Sequence, residues 1–209
     1  MIQKANNYAY RVGDGIYINL TNRCTNRCTF CIRNNGDGAY GTGSLWLEKE
    51  PTAEEAFAAV QALYFPGCKE FVFCGYGEPT MRMDTLLRVA MKLKTTYSQP
   101  IRLNTNGHAM LYCNEDFLPR FRQLIDCVSV SLNSPDAQSY VALCKPEHGT
   151  KAFDAMLSFT EACAKYVPDV QMTVVGETLD KYQLALCHAL ANRCNAKLRV
   201  RTYIGKESC

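Results

Sequence analysis

Short runs of β-branched and aromatic residues alternate along the chain with stretches in which apolar residues recur at helical spacing. Gly, Pro, Asn and Asp lie between them, which is typical of strands and helices joined by short turns. The predicted strands cover residues 16–20, 70–74, 101–104, 127–132, 170–175 and 197–202.

The predicted helices lie between these strands. Thr52 and Glu55 have the spacing of a capping box, and Pro66 and Gly67 are stop signals for the helix that it begins. The predicted helices cover residues 52–64, 86–93, 117–125, 137–143, 152–166 and 184–191. This order predicts an α/β fold with parallel strands and crossover helices. Six strands are fewer than the eight of a complete barrel, so we expect a partial (β/α)6 TIM-type barrel, with a flat doubly wound sheet as the alternative.

Four of the predicted strands alternate polar and apolar residues, whereas parallel strands buried on both faces are usually apolar throughout. Ile101 and Leu103 alternate with Arg102 and Asn104, and the same pattern recurs in strands 127–132, 170–175 and 197–202. Because side chains alternate between faces, the apolar set can pack under the helices while the polar set faces a common concavity. We expect a lumen that holds a polar ligand, and a sheet with one solvated face is the alternative.

The composition bounds the class of protein. The chain has 209 residues, of which 47% are hydrophobic and 21% charged, so we expect one globular domain spanning residues 1–209. No apolar run is long enough to cross a membrane, and the first residues lack the apolar segment of a signal peptide, so a cytoplasmic location is expected. The net charge of +3 includes no basic block typical of nucleic-acid binding. Twelve cysteines in a reducing compartment indicate metal or redox chemistry rather than disulfides.

The strongest signal is a group of three cysteines directly after the first predicted strand. Cys24, Cys28 and Cys31 lie within eight residues, in the sequence TNRCTNRCTFCIR. Thiolates select zinc, copper(I) or iron–sulfur clusters. Structural zinc usually has four ligands in two pairs, and the chain has no second C-x-x-C. Three thiols suit a 4Fe–4S cluster with one iron open to a ligand, and a zinc site or a redox C-x-x-C is the alternative.

The spacing CxxxCxxC with Phe30 before the last cysteine resembles the signature of the radical S-adenosylmethionine (radical SAM) superfamily. The resemblance implies a partial or full barrel whose first loop binds a 4Fe–4S cluster through Cys24, Cys28 and Cys31. It also implies that S-adenosyl-L-methionine binds the open iron and that one electron cleaves it to a 5′-deoxyadenosyl radical, which takes a hydrogen atom from the substrate. A one-electron reductant such as a flavodoxin or ferredoxin is then an expected partner.

A second motif follows the second predicted strand. The sequence CGYGEP, residues 74–79, is similar to the GGEP segment that binds the methionyl amino group in this superfamily. Glycines at Gly75 and Gly77 permit close backbone approach, and Glu78 is expected to orient the turn or to bind the ammonium. Tyr76 departs from the pattern, which usually has glycine there.

Further candidates for cofactor binding lie at the carboxyl ends of the later strands, where ligands of α/β sheets gather. Hydroxyl and amide side chains there match ribose hydroxyls and a carboxylate, although such residues are also common in turns. The candidates are Asn104, Thr105, Asn106, Ser131, Asn133, Val175 and Gly176.

Arg199 and Arg201 are candidate substrate residues, because two guanidinium groups on the inner face would suit a carboxylate or phosphate. The alternative is that they pair with acids or reach solvent at an edge strand.

Residues 34–43 form a glycine-rich loop that could close over the site. A second cluster at Cys187, Cys194 and Cys209 is a weaker hypothesis, since their spacing is loose.

Among radical SAM proteins, the chain most resembles the small members associated with TatD-type metal-dependent hydrolases, which implies a possible association with such a hydrolase. The 7-carboxy-7-deazaguanine synthases and the glycyl-radical-enzyme activases are similar in size and remain alternatives. From another class, a non-catalytic iron–sulfur electron carrier or scaffold could use the same cysteines. The substrate and the hydrogen that is abstracted are not identified by the sequence.

Overall fold

The computed structural model describes residues 2–113 and 116–203. Its strands form one sheet in which the spatial order follows the chain order. The strands are β1 (Ala9–Val12), β2 (Gly15–Ile18), β3 (Glu70–Phe73), β4 (Ile101–Thr105), β5 (Cys127–Ser131), β6 (Asp169–Val175) and β7 (Lys197–Arg201). The helices are α1 (Ala53–Leu63), α2 (Met83–Thr96), α3 (Ala137–Cys144), α4 (Lys151–Cys163) and α5 (Lys181–Arg193).

The topology is that of a partial barrel. Strands β2 to β7 are all parallel, and each pairs with the next one in the chain. A doubly wound sheet would reverse its strand order at a switch point, and this sheet does not. The sheet is open, with β1 and β7 at its edges. The expected partial (β/α)6 barrel is therefore confirmed.

Two details differ from the prediction. The sequence pattern missed β1, which pairs antiparallel with β2 through a tight turn at Gly13 and Asp14. The helix predicted at 117–125 is wrong: only a 3-10 turn forms there, at Leu118–Phe121. Its proline at position 119 and the positive φ of Gln123, 66°, interrupt a longer helix. The capping box of α1 is confirmed, because Thr52 and Glu55 bond to each other's backbone amides.

The core lies between the helices and the apolar face of the sheet. Alternate residues of the central strands are fully buried there, among them Phe71, Leu103, Val128 and Met172. The polar set of β4 to β6 lies on the opposite face, as the alternation predicts. The last strand departs from this pattern, because Val200 is 45% exposed at the open edge.

Candidate functional site

The three-cysteine loop follows β2, at the carboxyl edge of the sheet. Cys24, Cys28 and Cys31 are each partly buried. The loop is held to the end of α3 by two backbone hydrogen bonds, from the Arg27 amide to the Cys144 carbonyl at 2.9 Å and from the Thr29 amide to the Leu143 carbonyl at 3.0 Å. The loop therefore extends across the mouth of the sheet, from the strand that precedes it to the helix that follows β5.

Each thiol has a different environment. The Cys24 sulfur accepts a hydrogen bond from the Asn26 amide at 3.4 Å, and burial followed by the charge of Glu78 raises the pKa of Cys24 to about 12. A hydrogen bond to Cys144, together with burial, raises the pKa of Cys28. These thiols stay protonated at neutral pH until a metal displaces the proton.

A hydrogen-bonded group of side chains beneath the cysteine loop was not predicted from the sequence. His108 is fully buried and its two ring nitrogens lie 2.9 Å from the hydroxyls of Thr25 and Tyr140. The Asn26 amide group donates to the Tyr140 hydroxyl at 3.2 Å. Burial, and to a smaller extent the charge of His148, lowers the pKa of His108 to about 4, so the ring is neutral. Thr25 and Asn26 lie between Cys24 and Cys28, so this network fixes the loop from below.

No sequence spacing links His108 to the cysteine loop, because the two lie on different strand ends. A weak signal was available: His108 lies two residues after the candidates Asn104, Thr105 and Asn106. The tertiary structure brings the end of β4 beneath the cysteine loop, and the contact then follows.

The glycine turn after β3 packs directly on the cysteine loop. A methyl group at Gly77 would overlap the carbonyl oxygens of Thr21 and Arg23, and one at Gly75 would overlap the Asn19 side chain. The Glu78 amide donates to the Arg23 carbonyl at 2.7 Å. Glycine is therefore required at both positions for the two loops to approach each other.

Glu78 lies under the turn and is only 3% exposed. One carboxylate oxygen accepts from the Thr80 amide at 3.1 Å and from the hydroxyls of Thr80 and Thr105 at 2.7 Å each. The other accepts from the Asn106 amide at 2.7 Å. Burial raises the pKa of Glu78, and these donors oppose the increase. Glu78 thus joins the ends of β3 and β4, and its oxygens are already engaged.

Tyr76 has a specific role in the turn. Its hydroxyl lies 2.8 Å from the Gly36 carbonyl oxygen and 2.9 Å from that of Gly38, and its ring packs edge-on against Trp46. The glycine-rich loop predicted as a lid is therefore docked on the glycine turn in this conformation.

The structure divides the strand-end candidates by their contacts. Asn104 accepts a hydrogen bond from Arg102, while Thr105 and Asn106 are bonded to Glu78. By contrast, the Asn133 side-chain oxygen is buried and has no hydrogen-bond partner. The remaining candidates lie at the ends of β5 and β6: Ser131, Val175 and Gly176.

The arginines of the inner face differ in their pairing. Arg102 forms a two-point ion pair with Glu70, at 2.6 and 3.0 Å. Within the described part of the chain, neither Arg199 nor Arg201 has an acidic partner within 4.0 Å. Arg199 is exposed and Arg201 partly buried. Both lie on the open edge strand.

The weaker hypothesis of a second cluster gains no support. Cys187 and Cys194 are fully buried in the core around α5, and Cys209 lies outside the described residues. The cysteines within residues 2–113 and 116–203 form no disulfide.

Among the helices of residues 2–113 and 116–203, none is both long and apolar enough to span a membrane.

The family follows from comparison with known proteins. Residues 18–184 match the sequence profile of the Radical SAM superfamily. This matched segment contains the cysteine loop, the glycine turn and strands β3 to β6. The chain belongs to the radical SAM superfamily. It is accordingly an enzyme of a superfamily whose cofactors are a 4Fe–4S cluster and S-adenosylmethionine.

Curated relatives share part of this radical SAM chain. The probable GTP 3′,8-cyclase of Thermococcus kodakarensis is 31% identical over 176 residues, which are 80% of this chain and 52% of the relative. The GTP 3′,8-cyclase of Corynebacterium glutamicum strain R is 28% identical over 141 residues, 64% of this chain and 34% of the relative. The chain thus spans about half or less of the length of these relatives.

Solved structures agree on the radical SAM fold. SuiB of Streptococcus suis bound to S-adenosylmethionine has a TM-score of 0.66 at 14% identity, over 90% of this chain and 38% of SuiB. The protein anSMEcpe with bound AdoMet has a TM-score of 0.62 at 17% identity, over 90% of this chain and 51% of that one.

The side chains of this site fit both a 4Fe–4S cluster and S-adenosylmethionine. No three His, Cys, Asp or Glu side chains of the described residues converge as they would around one metal ion. Each cysteine of an iron–sulfur cube binds its own iron, however, so the three thiolates need not meet at one point. Two buried side-chain oxygens have no hydrogen-bond partner, that of Asn26 within the cysteine loop and that of Asn133 after the end of β5, and a ligand could satisfy them.

Proposed function

We propose that this radical SAM enzyme forms a 5′-deoxyadenosyl radical at the carboxyl edge of its sheet and uses it to take a hydrogen atom from an anionic small molecule. The observation that carries the proposal is the connection through Glu78. This carboxylate bonds to the Asn106 amide, and the Asn106 side chain bonds to Thr25 in the cysteine loop at 2.9 Å. The proposed cluster ligands and the proposed cofactor turn are therefore parts of one hydrogen-bonded frame.

In this proposal Cys24, Cys28 and Cys31 hold the cluster. The bound cluster and S-adenosylmethionine supply one electron and a cleavable sulfonium. The protein contributes binding and orientation. The backbone carbonyls of Gly75, Tyr76 and Gly77 would face the methionyl ammonium, because the Glu78 carboxylate already accepts hydrogen bonds from the Thr80 and Asn106 amides.

The rest of the cofactor would lie across the later strand ends. The Asn133 oxygen is an available acceptor for a ribose hydroxyl, with Ser131 beside it on the same strand end. Phe30 is partly buried against the core next to the last cysteine, where it would pack on the adenine side. Val175 and Gly176 would close that side, and a methyl group at Gly176 would lie 3.0 Å from the Val200 side chain.

The anionic substrate class follows from charge. On the inner face Arg102 is neutralised by Glu70, and Lys197 pairs with Asp169 at 3.0 Å. Within residues 2–113 and 116–203, no acid pairs with the guanidinium groups of Arg199 and Arg201, which favours a phosphate or carboxylate as their partner.

The relatives suggest which anion to test first. The similar GTP 3′,8-cyclases are named for a nucleoside triphosphate substrate, so GTP is the first candidate. The TatD-type hydrolase association and the flavodoxin or ferredoxin reductant stay proposals.

The test is anaerobic reconstitution followed by reduction. We expect an EPR signal of a reduced 4Fe–4S cluster that changes on addition of S-adenosylmethionine, and formation of 5′-deoxyadenosine. Cys24→Ala, Cys28→Ala and Cys31→Ala should each abolish both, whereas Cys163→Ala, a buried core cysteine, should retain both. An unchanged spectrum without nucleoside would identify an electron carrier instead.

A further inference from the structure

Arg33 lies two residues after the last proposed cluster ligand and is held at three points. Its Nε donates to the Cys31 sulfur at 3.3 Å. Its two terminal nitrogens donate to the carbonyl oxygens of Asn22 at 3.2 Å and Asn26 at 3.4 Å. Because Asn22 and Asn26 flank Cys24, the guanidinium group is fixed in the middle of the cysteine loop.

Arg33 forms no ion pair with any carboxylate of residues 2–113 and 116–203. The Trp46 ring lies 5.7 Å from its guanidinium carbon, and the side chain is partly buried. The guanidinium group therefore bonds to two backbone carbonyls and to the Cys31 sulfur, and that sulfur is the proposed cluster ligand it contacts.

We infer that Arg33 is a positioning residue that raises the reduction potential of the cluster held by Cys24, Cys28 and Cys31. Reduction adds one electron to the cluster and no proton, so the reduced state carries one more negative charge. A fixed positive charge and an N–H···S hydrogen bond stabilise that state more than the oxidised one. The inference rests on the proposed assignment of the three cysteines as ligands.

The loop offers a matched control. Arg27 lies between Cys24 and Cys28, but its side chain is exposed, and it is its backbone amide that bonds to the Cys144 carbonyl. Water screens an exposed charge, so Arg27 should have little effect on the cluster. Arg23 is less suitable, because it is paired with Glu50 at 2.8 Å.

The experiment is a redox titration of the reconstituted protein, without S-adenosylmethionine, with dithionite and mediators and with EPR as the readout. Iron content is measured on the same samples. In Arg33→Gln, the ratio of reduced to oxidised cluster at a fixed solution potential should be at least tenfold below wild type. Arg33→Lys, which keeps the charge, should stay within about threefold. Arg27→Gln should match wild type.

Equal ratios in Arg33→Gln and wild type at equal iron content would overturn the inference, as would an equal decrease in Arg27→Gln. If Arg33→Gln retains no cluster, Arg33→Lys decides: a ratio within threefold of wild type supports the role of the charge, and a tenfold decrease contradicts it. Failure of the proposed function would be distinct, because the wild-type protein itself would then bind no 4Fe–4S cluster.

Discussion

Replacement of Glu78 by glutamine tests whether one carboxylate holds the two loops of the site together. Glutamine keeps the shape but replaces one acceptor oxygen by an NH2 group, which would face either the Asn106 amide or the donors of Thr80 and Thr105. The loss of a hydrogen bond to a charged group costs about 1.5–3 kcal/mol, and a buried unsatisfied donor about 1–3 kcal/mol. Relief from burying the charge offsets part of this, so we expect Glu78→Gln to lower the free energy of unfolding by about 3 kcal/mol.

The assay is urea unfolding of the reduced apoprotein, followed by the fluorescence of Trp46, the single tryptophan. Glu54→Gln is the control: this glutamate is exposed and its contact to Lys92 is 3.5 Å long, so the change should stay within about 0.5 kcal/mol. After reconstitution, Glu78→Gln should also bind S-adenosylmethionine more weakly than Glu54→Gln does. A free energy of unfolding for Glu78→Gln equal to that of Glu54→Gln would refute the reasoning.

Three further changes have defined outcomes. Since the pKa of His108 is about 4 in the folded state and 6.5 in the reference state, the unfolded chain binds more protons between these values, and stability falls as pH decreases. Wild type should therefore lose about 2 kcal/mol more than His108→Gln between pH 7 and 5 in urea unfolding, and equal losses would contradict the buried neutral ring. Tyr76→Phe removes a bond worth about 1 kcal/mol and should speed proteolysis within residues 34–43, while unchanged cleavage would show that the hydroxyl does not hold this loop. Arg201→Gln should weaken GTP binding at least tenfold in calorimetry, and Lys197→Gln, already paired with an acid, should not; equal effects would argue against the anion subsite.

The fold was largely predictable because its signals are local. A strand with one face in the core has apolar residues at every second position. A crossover helix has apolar residues at 3.6-residue spacing and caps such as the Thr52–Glu55 capping box. The misses are also local: β1 is a short hairpin partner at the edge, and Pro119 with Gln123 shortens the predicted helix between β4 and β5 to a 3-10 turn.

The candidate site was predictable to a lesser degree. Cys24, Cys28 and Cys31 are visible from their spacing, since they lie on one short loop. Thr105 and Asn106 are predicted to bind the cofactor, and the structure shows that both also bond to Glu78. Strand-end position predicts proximity to a site, and the partner of each side chain depends on the neighbouring loop.

The family, the order of the six parallel strands and the donor chemistry of three thiols were predictable from the sequence, because each depends on residues near one another in the chain. The support of the cysteine loop by His108 and Tyr140, the docking of the glycine-rich loop on Tyr76 and the ion pair of Arg102 with Glu70 became visible in the folded chain. These properties depend on contacts between segments separated by tens of residues, which form only when the carboxyl ends of parallel strands meet at one edge of the sheet.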